Sequence, residues 1–224
     1  MTQTELENLW NYYLTLESDI ANTSRYIEPD GQENVYSYEF AKLIILSCTE
    51  VENSLKTLCM EKIGKECGNI SEYKNVVLNF FPKIVEAEVY VSRWAKSIQP
   101  FFGWNVGKLS WWEAYNDLKH NRGRNFKNAT YENAVYSLAA LYLLILYLAK
   151  VINARISNAR GTYIISDYTD KYIVYSPIKQ LPDFEDGEKN QLPLENRSSS
   201  VKLFHQKEEP SNSLDGDFWI KTEK

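Results

Sequence analysis

Histidine and cysteine are scarce in this chain of 224 residues, which contains two histidines and three cysteines. Cys48, Cys59 and Cys67 form no Cys-x-x-Cys pair, and a structural zinc site needs about four ligands at short, characteristic spacings. The sequence therefore predicts no metal site. Sparse cysteines in an odd number are typical of a reducing compartment. Cys48 and Cys59 fall on an apolar helical pattern, so we expect both to be buried as small hydrophobic side chains.

Glycine and proline are also few, with nine and seven residues. A fold with many tight turns needs more of both, so the composition favours long helices. The sequence contains no Gly-rich nucleotide-binding loop, no G-x-S-x-G nucleophile motif and no H-E-x-x-H zinc-protease motif. It therefore predicts no cofactor and excludes these common enzyme classes.

Positive charge is not in excess either, because the formal net charge is −5. The chain as a whole does not attract nucleic acid or anionic lipid, so any phosphate-binding site must come from a local patch. The first residues, Met-Thr-Gln-Thr-Glu-Leu-Glu, lack the basic and apolar regions of a signal peptide. We therefore expect a cytoplasmic protein.

Apolar residues recur at helical spacing in most of the first 150 positions, which predicts a mainly α protein with about five helices. Thr2 or Thr4 can cap the first helix, and Gly64 can end the second. Ser71 and Ser110 are the predicted caps of the third and fourth helices. The first four helices are expected at residues 2–24, 37–64, 71–81 and 110–120.

The fifth predicted helix is capped by Thr130 and is strongly apolar from Ala134 to Val151. A membrane span is the alternative interpretation. However, Ser137 and Lys150 interrupt the apolar segment, so the clean apolar run between them is shorter than the roughly 18–20 residues that a span needs, and it contains tyrosines. We therefore expect a buried central helix and no membrane contact.

The remaining segments have weaker patterns. Residues 83–108 combine a weak strand alternation, from Val85 to Val91, with an aromatic connector that we expect to lie on the helices. Further on, Tyr163–Ile165 and Tyr172–Tyr175 flank a polar hexapeptide, which is typical of a β-hairpin. The predicted domains are a helical bundle at 1–160, a β-hairpin extension at 161–176, and a polar, largely irregular tail with short docking segments at 177–224.

The segment from Trp111 to Arg124 carries the residues with the clearest chemistry. His120 carries an imidazole, a side chain suited to acid–base chemistry, and Asn116 lies one helical turn before it on the same face. The histidine lies within a local cluster of cations in an otherwise acidic chain, and such a cluster suits a phosphate backbone. The cluster consists of Lys119, Arg122, Arg124 and Lys127.

Over residues 2–158 the chain resembles the HEPN superfamily of helical-bundle proteins. The resemblance rests on an N-terminal helix, a long second helix with the tract Glu50-Val51-Glu52-x-x-x-Lys56, and a very apolar last helix. It rests above all on the string Trp112-x-x-Tyr115-Asn116-x-x-Lys119-His120-x-Arg122 before that last helix. The resemblance implies an HEPN-like bundle and metal-independent cleavage of RNA by a homodimer in which two such motifs face each other.

In the HEPN motif, four to six residues separate an arginine, often followed directly by asparagine, from the histidine. Asn116 and His120 match it, whereas Tyr115 stands at the position of the arginine. We therefore assign His120 as acid or base, Asn116 as the orienting group, and Arg122 as the phosphate ligand that substitutes for the arginine. Lys119, Arg124 and Lys127 are the expected RNA contacts, and Glu50 and Glu52 are expected to pair with this cluster across the bundle.

Two other interpretations remain open. Tyr115 in place of the arginine favours a catalytically inactive HEPN-like scaffold, which would bind an antitoxin or a defence-complex subunit through its aromatic surface and tail. Alternatively, the chain is an interaction domain without a role on RNA. In that case His120 caps a helix end and the neighbouring cations form a solvated turn.

Overall fold

The structure is a computed structural model that describes residues 1–152, the backbone of 173–175, and residues 181–184. As predicted, this part of the chain is mainly helical, with five α-helices. They are α1 (Gln3–Thr23), α2 (Tyr38–Ile63), α3 (Ile70–Phe80), α4 (Ser110–Asn125) and α5 (Tyr131–Val151).

Most helix ends lie where the local sequence predicts them. Thr2 caps α1 in a reciprocal arrangement with Glu5, and Thr130 caps α5. Gly64 ends α2 in the left-handed conformation, at a φ of 64°, which glycine adopts without steric cost.

Two predicted caps are wrong. Asn69, not Ser71, caps α3, because its side-chain oxygen accepts hydrogen bonds from two backbone amides of the first turn. Ser110 is already inside α4, which follows Leu109 and has no side-chain cap. The last residue with an extended backbone is Asn69 before α3, two positions before Ser71, and Leu109 before α4, one position before Ser110.

Helix α4 is interrupted directly after His120. Asn121 has non-helical φ and ψ angles of −152° and 62°, and the helix then resumes as far as Asn125. The break itself agrees with the prediction, but the helical turn beyond it extends further than predicted. A 3₁₀ turn at Phe126–Asn128 connects this segment to α5.

Helix α5 lies at the centre of the bundle and packs on α1, α2 and α4. Among the described residues it is the one helix long and apolar enough to cross a membrane, but 72% of its most apolar window is buried inside the protein. This burial is that of a core helix and confirms the predicted central position. Cys48 and Cys59 on α2 are also buried, as expected, and so is Cys67.

A small antiparallel sheet covers one side of the helices. Strands β1 (Val89–Val91) and β2 (Lys96–Ile98) form a hairpin, and β3 (Ile173–Tyr175) pairs with the other edge of β1. The second arm of the predicted hairpin, Tyr172–Tyr175, therefore contains a strand, β3, and the described strand that pairs with it is β1. The predicted first arm, residues 163–165, lies outside the described residues. The alternation before Val89 is not a strand, because Pro82 starts a 3₁₀ turn there.

The aromatic connector lies on the helices, as expected, except for Phe102, which is exposed. Trp94 and Trp111 are held by indole hydrogen bonds to the carbonyl oxygens of Pro29 and Pro100, at 2.9 and 2.8 Å. Within the predicted tail, one short described segment is packed on the bundle. There Asp183 accepts hydrogen bonds from the Tyr147 hydroxyl and from the Lys83 backbone. The predicted docking segments beyond it lie outside the described residues.

Candidate functional site

The buried face of α4 determines which side chains point outward. Trp111, Tyr115 and Leu118 are buried against the bundle, at positions three and four apart. The opposite face therefore carries Asn116, which is half-buried, and His120, which is exposed. The predicted pair thus lies one helical turn apart on the outer side of α4.

Neither side chain of this pair is held by a polar contact with another described residue. Within the described parts of the chain, the side chains of Asn116 and His120 form no hydrogen bond and no ion pair. A hydrogen bond from one ring nitrogen to a carbonyl or carboxylate often fixes the orientation of a histidine. Here the imidazole and the amide are both available to a ligand.

The segment after the helix break carries three exposed cations, Arg122, Arg124 and Lys127, which we call the basic segment. None of the three forms an ion pair with another described residue. Unpaired cations keep their full positive charge for an external anion. The basic segment thus follows His120 directly in the chain and is chemically suited to phosphate.

Asparagine side chains hold this segment in place. The amide of Asn128 donates to the Asp117 carboxylate at 2.8 Å, and the amide of Asn125 donates to the Asp117 carbonyl at 3.3 Å. The amide of Asn133 on α5 donates to the Asn128 carbonyl at 3.0 Å. Sequence analysis missed this network. The unusual density of asparagine between positions 116 and 133 was the signal that could have revealed it.

Lys119 lies on a different side of α4 from His120. Its Nζ donates to the Tyr115 hydroxyl at 3.0 Å and lies 3.8 Å from Oε2 of Glu52 on α2. The Tyr115 hydroxyl in turn donates to the same carboxylate at 3.4 Å. The structure therefore groups Lys119 and Tyr115 with Glu52, whereas the basic segment consists of the other three cations.

Glu50 does not join this group. Its carboxylate accepts a hydrogen bond from Asn53, and it lines a groove between α1 and α2 together with Tyr12. Two residues along a helix correspond to a rotation of about 200°, so Glu50 and Glu52 point to opposite sides of α2. Of the two predicted acidic partners, Glu52 alone reaches a cation of α4.

The group around Glu52 has a defined charge state. Partial burial acts to raise the pKa of the Glu52 carboxyl, but the hydrogen bond from Lys56, the charges of Lys56 and Lys119 and the hydrogen bond from Tyr115 together lower it. The pKa of Lys119 is raised, first by its hydrogen bond to Tyr115 and then by Glu52. Both residues are therefore charged at neutral pH and stabilise the contact between α2 and α4.

Glu52→Gln is expected to lower the free energy of unfolding at pH 7 by about 1 kcal/mol, because it removes the ionic partner of two lysines. The folded-state pKa of Glu52 is below its ordinary value of 4.5, so the contribution is present above that value and is lost as the pH falls through the folded-state pKa. Urea unfolding of both proteins between neutral and acidic pH measures the difference. A difference in unfolding free energy that persists unchanged at the acidic end contradicts this role. Lys119→Met is the matched control, because it removes the cation of the Glu52–Lys119 pair instead of the carboxylate.

The site lies on open surface and not in a cavity. A cleft of about 590 Å³ lies at the other end of the helix and is lined by Lys108, Ser110 and Trp111, among others. His120 is not among its lining residues. Small-molecule sites are usually enclosed, so an exposed histidine beside a basic segment suits a polymeric ligand better. In the described ranges, no three histidine, cysteine, aspartate or glutamate side chains are close enough to hold a metal ion.

Comparison of the chain with protein-family models, with curated proteins and with solved structures gives no match. The function is therefore inferred from the residues and their geometry.

Proposed function

We propose that this chain is a cytoplasmic, HEPN-like protein that cleaves RNA without a metal ion, as an effector of a defence or toxin–antitoxin system. The observation that carries the proposal is the free imidazole of His120, with the free amide of Asn116 one turn before it and the free guanidinium of Arg122 just beyond the helix break. These three groups are the proposed acid or base, the orienting group and the phosphate ligand. Arg124 and Lys127 extend the phosphate contact.

The proposed reaction uses the RNA's own 2′-hydroxyl. A base takes its proton, and the 2′-oxygen attacks the adjacent phosphorus. The bond from phosphorus to the 5′-oxygen breaks, and an acid returns a proton to that oxygen. The products are a 2′,3′-cyclic phosphate and a 5′-hydroxyl, and the guanidinium of Arg122 stabilises the charge on the phosphorane.

One histidine in each chain serves either as base or as acid, so the proposal includes a homodimer. In such a dimer the exposed ends of two α4 helices face the same phosphate, and the second His120 supplies the complementary proton transfer. The exposure of His120 and the basic segment supports this arrangement, because a partner can reach both.

Tyr115 stands where the HEPN motif has its arginine, and its position is consistent with Arg122 taking over the role of that arginine. Its side chain is buried, with 2% of its surface exposed, and its hydroxyl contacts Glu52 and Lys119. No phosphate can reach the ring of Tyr115 in this position. Of the two exposed arginines after the helix break, Arg122 is nearer to His120 in the chain, and its guanidinium is accessible to a ligand.

Cleavage of RNA by the purified full-length chain in excess EDTA tests the proposal. We expect cleavage that persists in EDTA, product ends that carry a 2′,3′-cyclic phosphate, and a specific activity that rises with protein concentration as dimers form. Mass spectrometry of the products identifies the ends. Absence of cleavage up to high protein concentration, or cleavage that EDTA abolishes, contradicts the proposal.

The same Tyr115 geometry favours one second candidate, an inactive HEPN-like subunit that binds a protein partner. In that function the residues Glu52, Tyr115 and Lys119 stabilise the bundle, and the free side chains of α4 contact a partner such as an antitoxin or a defence-complex subunit. The EDTA experiment separates the two candidates, since an inactive subunit leaves RNA intact.

A further inference from the structure

Three aromatic side chains, two exposed and one half-buried, form a cluster beside the basic segment. They are Tyr36, just before α2, Tyr38, at the start of α2, and the half-buried Phe126, in the 3₁₀ turn after α4; we call them the aromatic platform. The side chains of Tyr36 and Tyr38 are 53% and 73% exposed. The ring centroid of Phe126 lies 5.5 Å from that of Tyr36, edge to face, and 4.4 Å from that of Tyr38 at an interplanar angle of 33°.

The backbone around the platform is held firmly, so the exposed rings have defined positions. Tyr36 forms a β-bridge with Thr130, and the Ser37 amide donates to the Ala129 carbonyl at 3.2 Å. The Tyr131 amide donates to the Val35 carbonyl at 2.8 Å. The exposed rings of Tyr36 and Tyr38 contribute little to the core and are accessible to a ligand, whereas Phe126 packs against the core and supports them.

Two unpaired cations adjoin the platform in the chain. Phe126 lies between Arg124 and Lys127 in the chain, and both are exposed cations without an ion pair among the described residues. Of the acidic side chains close by in the sequence, Glu33 pairs with Lys96, Glu39 pairs with Lys42, and the Asp117 carboxylate accepts from Asn128. The exposed Glu132 forms no ion pair among the described residues. The surface therefore combines aromatic faces with unpaired cations.

Exposed aromatic rings beside unpaired cations favour some classes of partner over others. Aromatic faces stack on bases only where the bases are unpaired, and arginine and lysine bind the phosphates between them. A duplex hides its base faces, and a membrane surface offers no stacking partner. An acidic protein satisfies the cations but does not account for adjacent exposed rings.

We propose that the aromatic platform is a binding site for unpaired bases of single-stranded RNA, with Arg124 and Lys127 on the adjoining phosphates. The proposal rests on the proposed RNA-directed function and adds to it a site for the strand beside the cleavage point. Phe126 is six residues beyond His120 in the chain. In this proposal, a strand stacked on the platform continues along the basic segment toward the histidine.

The test measures binding separately from cleavage. The probe is a fluorescein-labelled, single-stranded oligouridine with 2′-O-methyl groups, which cannot be cleaved by its own 2′-oxygen, and anisotropy reports its Kd for the full-length chain. We expect Tyr38→Ala to weaken binding about 10-fold, since stacking on one aromatic side chain contributes about 1–3 kcal/mol per base. Tyr38→Phe is expected to bind like the wild type, because stacking uses the ring and not the hydroxyl.

Tyr26→Ala is the matched control. Tyr26 is 87% exposed but lies outside the platform, so its loss is expected to change Kd less than 2-fold. An Arg124→Gln variant is expected to reduce the salt dependence of binding by about one counterion. Equal effects of Tyr38→Ala and Tyr26→Ala, or equal affinity for a duplex of the same length, overturn the proposal.

The two proposals fail independently. Binding that depends on Tyr38 without any RNA cleavage supports the platform and contradicts the nuclease. Cleavage in EDTA with binding that is indifferent to Tyr38→Ala supports the nuclease and overturns the platform, and it leaves the exposed rings as a surface for a protein.

Discussion

His120→Ala is expected to lower the rate of RNA cleavage in EDTA by about 10²- to 10⁴-fold, the usual contribution of a general acid or base. The imidazole is the sole proposed proton-transfer group of each chain, and nothing adjacent on α4 can replace it. The measurement is the single-turnover rate on a labelled RNA with protein in excess. In a dimer both copies lose the group at once, so the loss is expected near the upper end of this range.

Stability and binding distinguish a catalytic role of His120 from a structural one. Because the side chain is exposed and unpaired among the described residues, His120→Ala is expected to change the free energy of unfolding by less than about 0.5 kcal/mol. RNA affinity is expected to change little as well. His205→Ala, at the other histidine of the chain, is the matched control and should cleave like the wild type. Equal rates for wild type and His120→Ala contradict the assignment.

Leu144→Ala is expected to lower the free energy of unfolding by about 3 kcal/mol, as large-to-small substitutions do in well-packed cores. Leu144 is fully buried in the middle of α5 and has 0% exposed surface. Its removal leaves a cavity among helices that cannot collapse without moving the centre of the bundle. Urea unfolding of the detergent-free protein, followed by circular dichroism, measures the change.

Leu146→Ala is the control for this prediction, because Leu146 is on the same helix but only half-buried. Its replacement is expected to cost about 1 kcal/mol, in proportion to the smaller apolar area removed from water. In a lipid-spanning helix the two leucines would not differ in this way, and the protein would need detergent to stay in solution. Similar costs for the two variants contradict the central position of α5.

Helix ends were predictable where one residue makes the decisive contact. Thr2, Thr130 and Gly64 act through backbone groups of their own turn, so their roles can be read from neighbouring positions alone. Asn69 and Leu109 show the limit of this reasoning. Serine is as good a cap as asparagine, and which of two nearby residues keeps an extended backbone depends on how the preceding loop is packed.

For the candidate site, too, the features that depend on neighbouring positions were predictable, and those that depend on packing were not. Helical spacing alone places Asn116 and His120 on one face, and the break at Asn121 follows from the local sequence. The partners of Lys119 and Glu50 could not be predicted, since they depend on the rotation of α2 and α4 about their axes. That rotation is set by burial of Trp111, Tyr115 and Leu118 against the rest of the bundle.

By itself, then, the sequence determined the mainly helical class, the approximate extent of the helices, and the placement of an imidazole, an amide and several cations near one helix end, because these depend on contacts within a few residues. The tertiary structure decided what requires distant segments to meet. It buried α5 as a core helix, paired Lys119 with Glu52, and brought Tyr36 and Tyr38 against Phe126, about 90 positions further along the chain. The physical reason is that side-chain packing between elements, and not local propensity, sets which faces are buried and which groups remain free for a ligand.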